Sequence, residues 1–288
     1  MKIWIPGGRG MLGQALQRAL TDTSHDVVIS GSDVDVADTD AVNAYVDVHT
    51  PALIINCAAY TAVDKAEAEE ATALRSNGDG PGVLGAAAAR TGARALHVST
   101  DYVFDGTSKQ SWSPDDKTAP LGAYGRTKLV GEQRFLEATN GKGLVVRTSW
   151  LFGYGGKNFV TTMLKLMSER EQLKVVGDQH GRPTSTQTLA STLLALGQGS
   201  DAGGITHVAD AGPTTWHAFA CAIRDGARER GHALKVQHIE AIPTSAYPTP
   251  AVRPAWSVLD TTRTEQLTGI ILPPWMTTLG RYLDELPR

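Results

Sequence analysis

The chain has 288 residues, 41% of them hydrophobic and 20% charged, with 27 Lys and Arg against 30 Asp and Glu for a net charge of −3. That composition can bury a large core, which excludes disorder as the main state, and it carries no basic excess for holding a nucleic acid polymer. Its 30 Gly and 14 Pro exceed the usual share but fall short of a low-complexity chain.

Short apolar runs at 2–5, 27–29, 53–56, 94–99 and 144–148 read as strands, alternating with amphipathic stretches as βαβ units do. Leu12, Ala15, Leu16, Ala19 and Leu20 recur at helical spacing between the first two. Asp64 reads as the N-cap of a helix over 66–74, and an Ala-rich helix is expected at 81–90. Beyond Trp150 the rhythm changes to a helix at 159–170, a strand at 173–176, a turn-rich stretch at 177–186, and helices at 189–196 and 216–230. The segment 242–254 holds four Pro and reads as an extended loop laid over the rest. The expected fold class is α/β, a Rossmann-type doubly wound parallel sheet over residues 1–150. Residues 151–288 would form mainly a smaller substrate-binding lobe, part of which can return to the first sheet.

Directly after the first strand stands Gly7-Gly8-Arg9-Gly10-Met11-Leu12-Gly13, opening a helix. Glycines there permit a tight turn and let bare backbone approach a pyrophosphate, which the helix N-terminus attracts. At the end of strand two, where an acid would bind an adenosine ribose or a base a 2′-phosphate, the chain reads Ser30-Gly31-Ser32. Asp33, Asp35, Asp38 and Asp40 follow, either as a solvated acidic loop or with one carboxylate near the ribose, so NADPH and NADH both stay open.

Among seven Tyr, only Tyr124 has a Lys four residues on, Lys128. On a helix the two share a face, where the cation can lower the phenol pKa and favour proton donation to a carbonyl. Thr100 and Asp101 stand at the end of the fourth strand, facing the crevice where such folds bind ligands. Eight His are scattered without a metal-binding pattern, no GxSxG occurs, and the two cysteines, Cys57 and Cys221, make neither a disulfide framework nor a zinc site. A cytoplasmic setting is expected, with no export signal, since residues 1–6 hold one Lys and a short apolar run, and no membrane span, since nowhere do 18 apolar residues run together.

With the glycine turn, Thr100, Tyr124 and Lys128 in this order, the chain resembles the extended short-chain dehydrogenase/reductase family. The strings 56–67, 99–106, 147–153 and 178–184, with Asn158-Phe159 and Arg253-Pro254-Ala255-Trp256-Ser257, look like its dTDP-4-keto-6-deoxy sugar reductases. That resemblance implies reduction of the C4 keto group of dTDP-4-dehydro-6-deoxy-L-mannose to dTDP-L-rhamnose, the last step of dTDP-rhamnose synthesis. Tyr124 would donate the proton, Thr100 would hold the carbonyl oxygen, and Lys128 would depress the Tyr pKa and bind the nicotinamide ribose. Gly7, Gly10, Met11, Leu12 and Gly13 would contact the pyrophosphate, and Asp35 and Val36 the adenosine end. Ala58, Ala59, Tyr60 and Thr61 would meet the middle of the cofactor. Asp101, Trp150, Val63 and Asn158 would meet the substrate. Arg182 and Arg253 would face the nucleotide diphosphate or form ordinary ion pairs.

Departures from the family matter as well. Tyr102 replaces the Glu that dehydratases carry after Thr-Asp, which disfavours elimination. Ala15 and Gln187 stand where some members place glutamates that bind Mg²⁺ between subunits, so Mg²⁺ is doubtful and a monomer or weak homodimer is expected. Two alternatives stay open: a reductase of another dTDP-4-keto sugar, of the dihydrostreptose type, and a non-catalytic NADP-binding regulatory subunit.

Overall fold

The computed structural model describes residues 1–287. The first half runs β1 (Lys2–Pro6), α1 (Met11–Leu20), β2 (Asp26–Ser30), α2 (Thr39–His49), β3 (Leu53–Asn56), α3 (Val63–Ala66), α4 (Glu70–Leu74), α5 (Gly80–Thr91), β4 (Arg94–Thr100), α6 (Ala123–Ala138) and β5 (Leu144–Thr148). The second half adds β6 (Leu151–Phe152), α7 (Phe159–Glu169), β7 (Gln172–Val176), β8 (His180–Gly181), β9 (Thr184–Ser185), α8 (Thr186–Gly199), β10 (Gly204–His207), β11 (Thr214–Thr215), α9 (Trp216–Glu229), β12 (His238–Ile242), α10 (Thr262–Thr268) and α11 (Trp275–Asp284).

The central sheet is parallel throughout, in the order β10-β5-β4-β3-β1-β2. Strand alternation sends successive side chains to opposite faces. Ile3, Ile5, Leu53, Ile55, Leu144 and Val146 meet α1 and α8 on one face, while Trp4, Ile54 and Val145 meet α2, α5 and Phe135 of α6 on the other. From β1 the chain steps out to β2, then crosses back to β3 on the other side of β1. The carboxyl ends of β1 and β3 therefore open a crevice at a topological switch point.

The second lobe has its own core, where Phe152, Phe219, Trp275 and Tyr282 gather with Val160, Met167 and Ile223. Its strand β7 pairs in parallel with β12, and two short pairs, β6 with β9 and β8 with β11, stitch the region where the lobes meet. The chain also returns to the first sheet: α8 covers one face beside α1, and β10 adds to the edge beyond β5. Among the described residues, no helix is long and apolar enough to cross a membrane.

Four local expectations need correction. Ala19 is exposed, so the buried stripe of α1 is Leu16, Leu20, Ala15 and Gly13. Asp64 is not an N-cap: it lies inside α3, and its carboxylate accepts the Arg253 guanidinium at 2.9 Å and the Ala251 N–H at 3.3 Å. The helix expected over 66–74 is broken after Ala66, resumes as α4, and passes through a wide π-type turn, Arg75–Asp79, into α5. The acidic stretch 33–40 is not a bare loop either. Asp38 caps α2 by accepting the Asp40 and Ala41 N–H groups, both at 3.0 Å, while Asp33 and Asp35 pair with arginines.

Candidate active site

The β1–α1 turn is built so that only glycine fits at its critical points. Gly7 has φ +74°, and a Cβ there would lie 2.6 Å from the Ala58 nitrogen; one on Gly13 would lie 2.4 Å from the Gly8 Cα. Helix α1 then begins at Met11 behind its N-cap Gly10, with no side-chain cap and no acid in its first turn, leaving its first N–H groups free for an anion. A cleft of about 1280 Å³ opens from this turn. Gly7, Gly10, Met11, Leu12 and Gly13 form its floor, Asp35 and Val36 one end, and Tyr124 and Lys128 the other, with Ala58, Ala59, Thr61 and Val63 along the β3 side. An elongated cradle with bare backbone and an uncapped helix end at its middle fits a dinucleotide cofactor.

At the Asp35 end the charges come in pairs. Arg75 reaches Asp35 at 2.6 Å and Arg9 reaches Asp33 at 3.1 Å, all four groups about half exposed. The Arg75 hydrogen bond above all holds the Asp35 carboxyl below its usual range, and the Gly31 N–H does the same for Asp33.

At the opposite end, Tyr124 sits in the first turn of α6, whose Ala123 N–H is received by Glu67 at 2.8 Å. Gly125 lets this turn close on the 101–103 turn, since a Cβ there would meet the Tyr102 carbonyl oxygen at 2.2 Å. Thr100 caps that same turn, accepting the Tyr102 N–H at 3.1 Å and donating to Asp101 at 3.0 Å. Asp101 is 2% exposed with Oδ2 unpartnered, and burial pushes its carboxyl up to about 7 against hydrogen bonds from Ser257 and Thr100.

The expectation that Lys128 lowers the Tyr124 pKa is not what the geometry gives. Burial first, and the Asp101 carboxylate second, push the phenol up to about 12, with a Thr100 hydrogen bond opposing them. Lys128 instead turns its Nζ to the Val98 carbonyl at 2.6 Å, toward β4, and burial draws its own pKa down to about 8. A phenol held this high stays protonated over the working range, which suits a proton donor. Beneath it, Glu132 takes both arms of Arg147, at 2.9 and 2.7 Å, in a pair wholly out of water.

Seven residues expected at or near the site do not line the cleft. Tyr60 sends its hydroxyl to Glu69 at 2.6 Å, and Thr100 and Asp101 are buried and hydrogen-bonded to each other. Trp150, at φ +47°, stacks on Trp216 with ring centres 3.5 Å apart, so that Trp216 presents the wall and Trp150 backs it. Asn158 is the N-cap of α7: its Oδ1 accepts the Thr161 N–H at 3.1 Å and its Nδ2 donates to the Gly153 carbonyl at 2.8 Å. Its amide is committed to the fold. Arg182 likewise is buried and donates to the Asp210, Leu259 and Ala209 carbonyls at 2.6, 2.6 and 3.0 Å, so it joins loops of the second lobe and does not face a diphosphate. Arg253 clasps the Pro-rich segment to Asp64.

The cleft also uses residues the sequence reading did not single out, chiefly Arg9, Arg75, Lys157, Phe159 and Trp216. The 155–157 loop reaches across from the second lobe, where Gln14 of α1 donates to the Gly155 carbonyl at 3.2 Å. Gly155-Gly156 before an Asn N-cap was a turn signal, but its partner on α1 is 141 residues away in sequence and only the fold brings the two together.

The chain matches the family model for the RmlD substrate binding domain over residues 1–288. It is 41% identical to a dTDP-4-dehydrorhamnose reductase of Burkholderia thailandensis, with 99% of each chain covered. It is also 41% identical to a probable dTDP-4,6-dihydroxy-2-methyloxan-3-one 4-ketoreductase of Streptomyces antibioticus, over 90% of this chain and 86% of that one. Among solved structures, the dTDP-4-dehydrorhamnose reductase of Bacillus anthracis in complex with NADP superposes with a TM-score of 0.92 at 34% identity, covering 99% of both chains. A cleft shaped for a dinucleotide, a tyrosine and lysine at its far end, and likeness along the whole length agree: the chain belongs to the RmlD substrate binding domain family, beside the dTDP-4-dehydrorhamnose reductases.

Proposed function

We propose that this protein reduces the C4 keto group of dTDP-4-dehydrorhamnose to give dTDP-L-rhamnose, with NADPH as the preferred reductant and NADH accepted. The observation that carries the reading is the placement of Tyr124 and Lys128 at the end of the same cleft whose floor is the glycine turn. The glycine turn and the α1 N-terminus would hold the pyrophosphate, Asp35 and Val36 the adenosine, and Lys128 the nicotinamide ribose. The bound nicotinamide supplies a hydride. Tyr124 gives its phenolic proton to the C4 oxygen so that carbonyl becomes alcohol, and Thr100, hydrogen-bonded to the phenol from outside the cleft, steadies the donor. Arg9, packed beside Gly31, and Arg75, paired with Asp35, line the same cleft and support NADPH.

Mg²⁺ has no part in the reading, because Ala15, where a glutamate would be wanted, is 6% exposed within the core of α1. We read the protein as a monomer or weak homodimer. A cytoplasmic setting is supported by two unpaired cysteines, Cys57 and Cys221. The Streptomyces antibioticus relative, at equal identity, favours a second reading in which the ketone belongs to another dTDP-4-keto sugar.

The test follows NADPH absorbance with purified protein and dTDP-4-dehydrorhamnose. Wild type should oxidise NADPH, and Tyr124→Phe should lose about 10²–10⁴ in kcat while still binding cofactor. Equal rates in the two, or no oxidation by wild type, would remove the mechanism.

A further inference from the structure

Behind Lys128, on the side away from the cleft, lies a buried polar chain that the reduction itself does not call on. Asn56 at the end of β3, His97 on β4 and Lys128 on α6 are 1%, 0% and 2% exposed. The Asn56 amide stands 3.0 Å from His97 Nδ1, and His97 Nε2 stands 3.5 Å from Lys128 Nζ. We propose that Asn56 fixes His97 in the tautomer that carries its proton on Nε2, and that this N–H, aimed at Nζ, sets the charge of Lys128 by disfavouring the ammonium.

The argument starts from a group with no choice. The Ala58 backbone N–H can only donate, and it donates to Asn56 Oδ1 at 3.0 Å. The other end of the amide, Nδ2, must then be what faces His97 Nδ1, so Nδ1 is the acceptor. A neutral imidazole with an accepting Nδ1 carries its proton on Nε2. The ring is neutral because burial, and then the Lys128 charge, hold its pKa well below the usual histidine value. Two donors therefore confront each other whenever Lys128 is an ammonium, and the contact turns favourable when the amine offers its lone pair.

The other groups around Nζ do not cancel this. The Val98 carbonyl accepts one of its hydrogens at 2.6 Å. Glu132, one helical turn on, favours the ammonium, but its oxygens are taken up by Arg147 and Ser99. The Cys57 thiol is pushed up to about 12 by burial and the Tyr124 phenol likewise, so both are neutral. His97 is a positioning residue here, acting on substrate only through Lys128. Its kinetic consequence rests on the reductase reading; its structural content does not.

Nitrogen-15 NMR of histidine-labelled protein tests the tautomer without any substrate. The His97 signal, identified by its loss in His97→Gln, should report a protonated Nε2 and an unprotonated Nδ1, unchanged from pH 6 to 9. A protonated Nδ1, or a ring that titrates in that range, overturns the proposal. The Lys128 side chain, followed by carbon-13 in lysine-labelled protein, should titrate about one unit higher in His97→Leu. Asn56→Asp supplies a second variant, since a carboxylate can accept from both the Ala58 N–H and His97 Nδ1–H and so turns Nε2 into an acceptor; it too should raise the Lys128 titration. In NADPH oxidation, the high-pH limb of kcat should move upward by the same interval in either variant. A uniform loss of rate with the Lys128 titration unmoved would mean that His97 only fills space. If the titrations move and no substrate is reduced, the inference stands and the reductase reading falls.

Discussion

Arg75 and Arg9 illustrate what a single residue adds once its neighbours are known. Each guanidinium is bound to a carboxylate, Asp35 or Asp33, at the end of the cleft to which the proposed function assigns the adenosine ribose. Because these ion pairs are about half exposed, each is worth only about 0–1 kcal/mol and can be exchanged for a phosphate partner at little cost. Arg75→Gln should therefore raise the KM for NADPH by about tenfold, a change of about 1.4 kcal/mol, and leave that for NADH within about twofold. Steady-state kinetics with both cofactors checks it; equal rises for the two would assign Arg75 to the fold alone. The motif Gly7 to Gly13 and the Tyr124–Lys128 spacing were legible from sequence because both are local. Arg75 was not, since its approach to Asp35 depends on a wide turn that no periodicity announces.

At the level of elements, β1 to β5 and β7 were read within a residue or two, because buried parallel strands appear as plain apolar runs, whereas β10 and β12 were not foreseen. Helix α2 was missed, as its acidic entry looked like a loop until Asp38 is seen accepting two backbone N–H groups. Thr100, Trp150 and Asn158 were legible as important positions, yet their contacts were not, for each is partly spent on holding an element end. Asp210 belongs to this level. Fully buried, it accepts from the Ser185 N–H at 3.1 Å and the Thr278 hydroxyl, joining α8 to α11, and burial pushes its carboxyl up to about 6. A folded-state pKa above the unfolded value contributes stability at low pH that is lost as pH rises toward 6. Wild type should thus lose stability relative to Asp210→Asn between pH 4 and 7, by on the order of 2–3 kcal/mol. Urea denaturation of both at several pH values measures this, and a pH-independent difference would contradict it.

For the molecule as a whole, the return of the chain to its first sheet decides how it folds. Leu189, Leu193 and Leu196 of α8, with Val208 after β10, are fully buried against the face that Ile3, Ile5 and Leu144 present. At about 1.5–3 kcal/mol for each buried side chain, these four contribute roughly 6–12 kcal/mol, as much as the net stability of a typical domain. A fragment of residues 1–150 should therefore not fold cooperatively, whereas 1–210 should recover helical circular dichroism and protected amides in β1 and β3. Folding of the shorter fragment would show that the two halves are independent. The composition hinted at a large core but not at this crossing, because pairing between β5 and β10 is set by topology across 55 or more residues.

The central claim is that the cleft delivers hydride to C4 of a dTDP-4-keto sugar while Tyr124 supplies the proton. It is tested most directly by turnover of dTDP-4-dehydrorhamnose with NADPH deuterated at the transferring position of the nicotinamide, followed by NMR of the sugar product. The account predicts dTDP-L-rhamnose with deuterium bonded to C4 and none elsewhere, and no labelled product from Tyr124→Phe at comparable times. Cofactor oxidation without deuterium at C4, or label at another carbon, would contradict it.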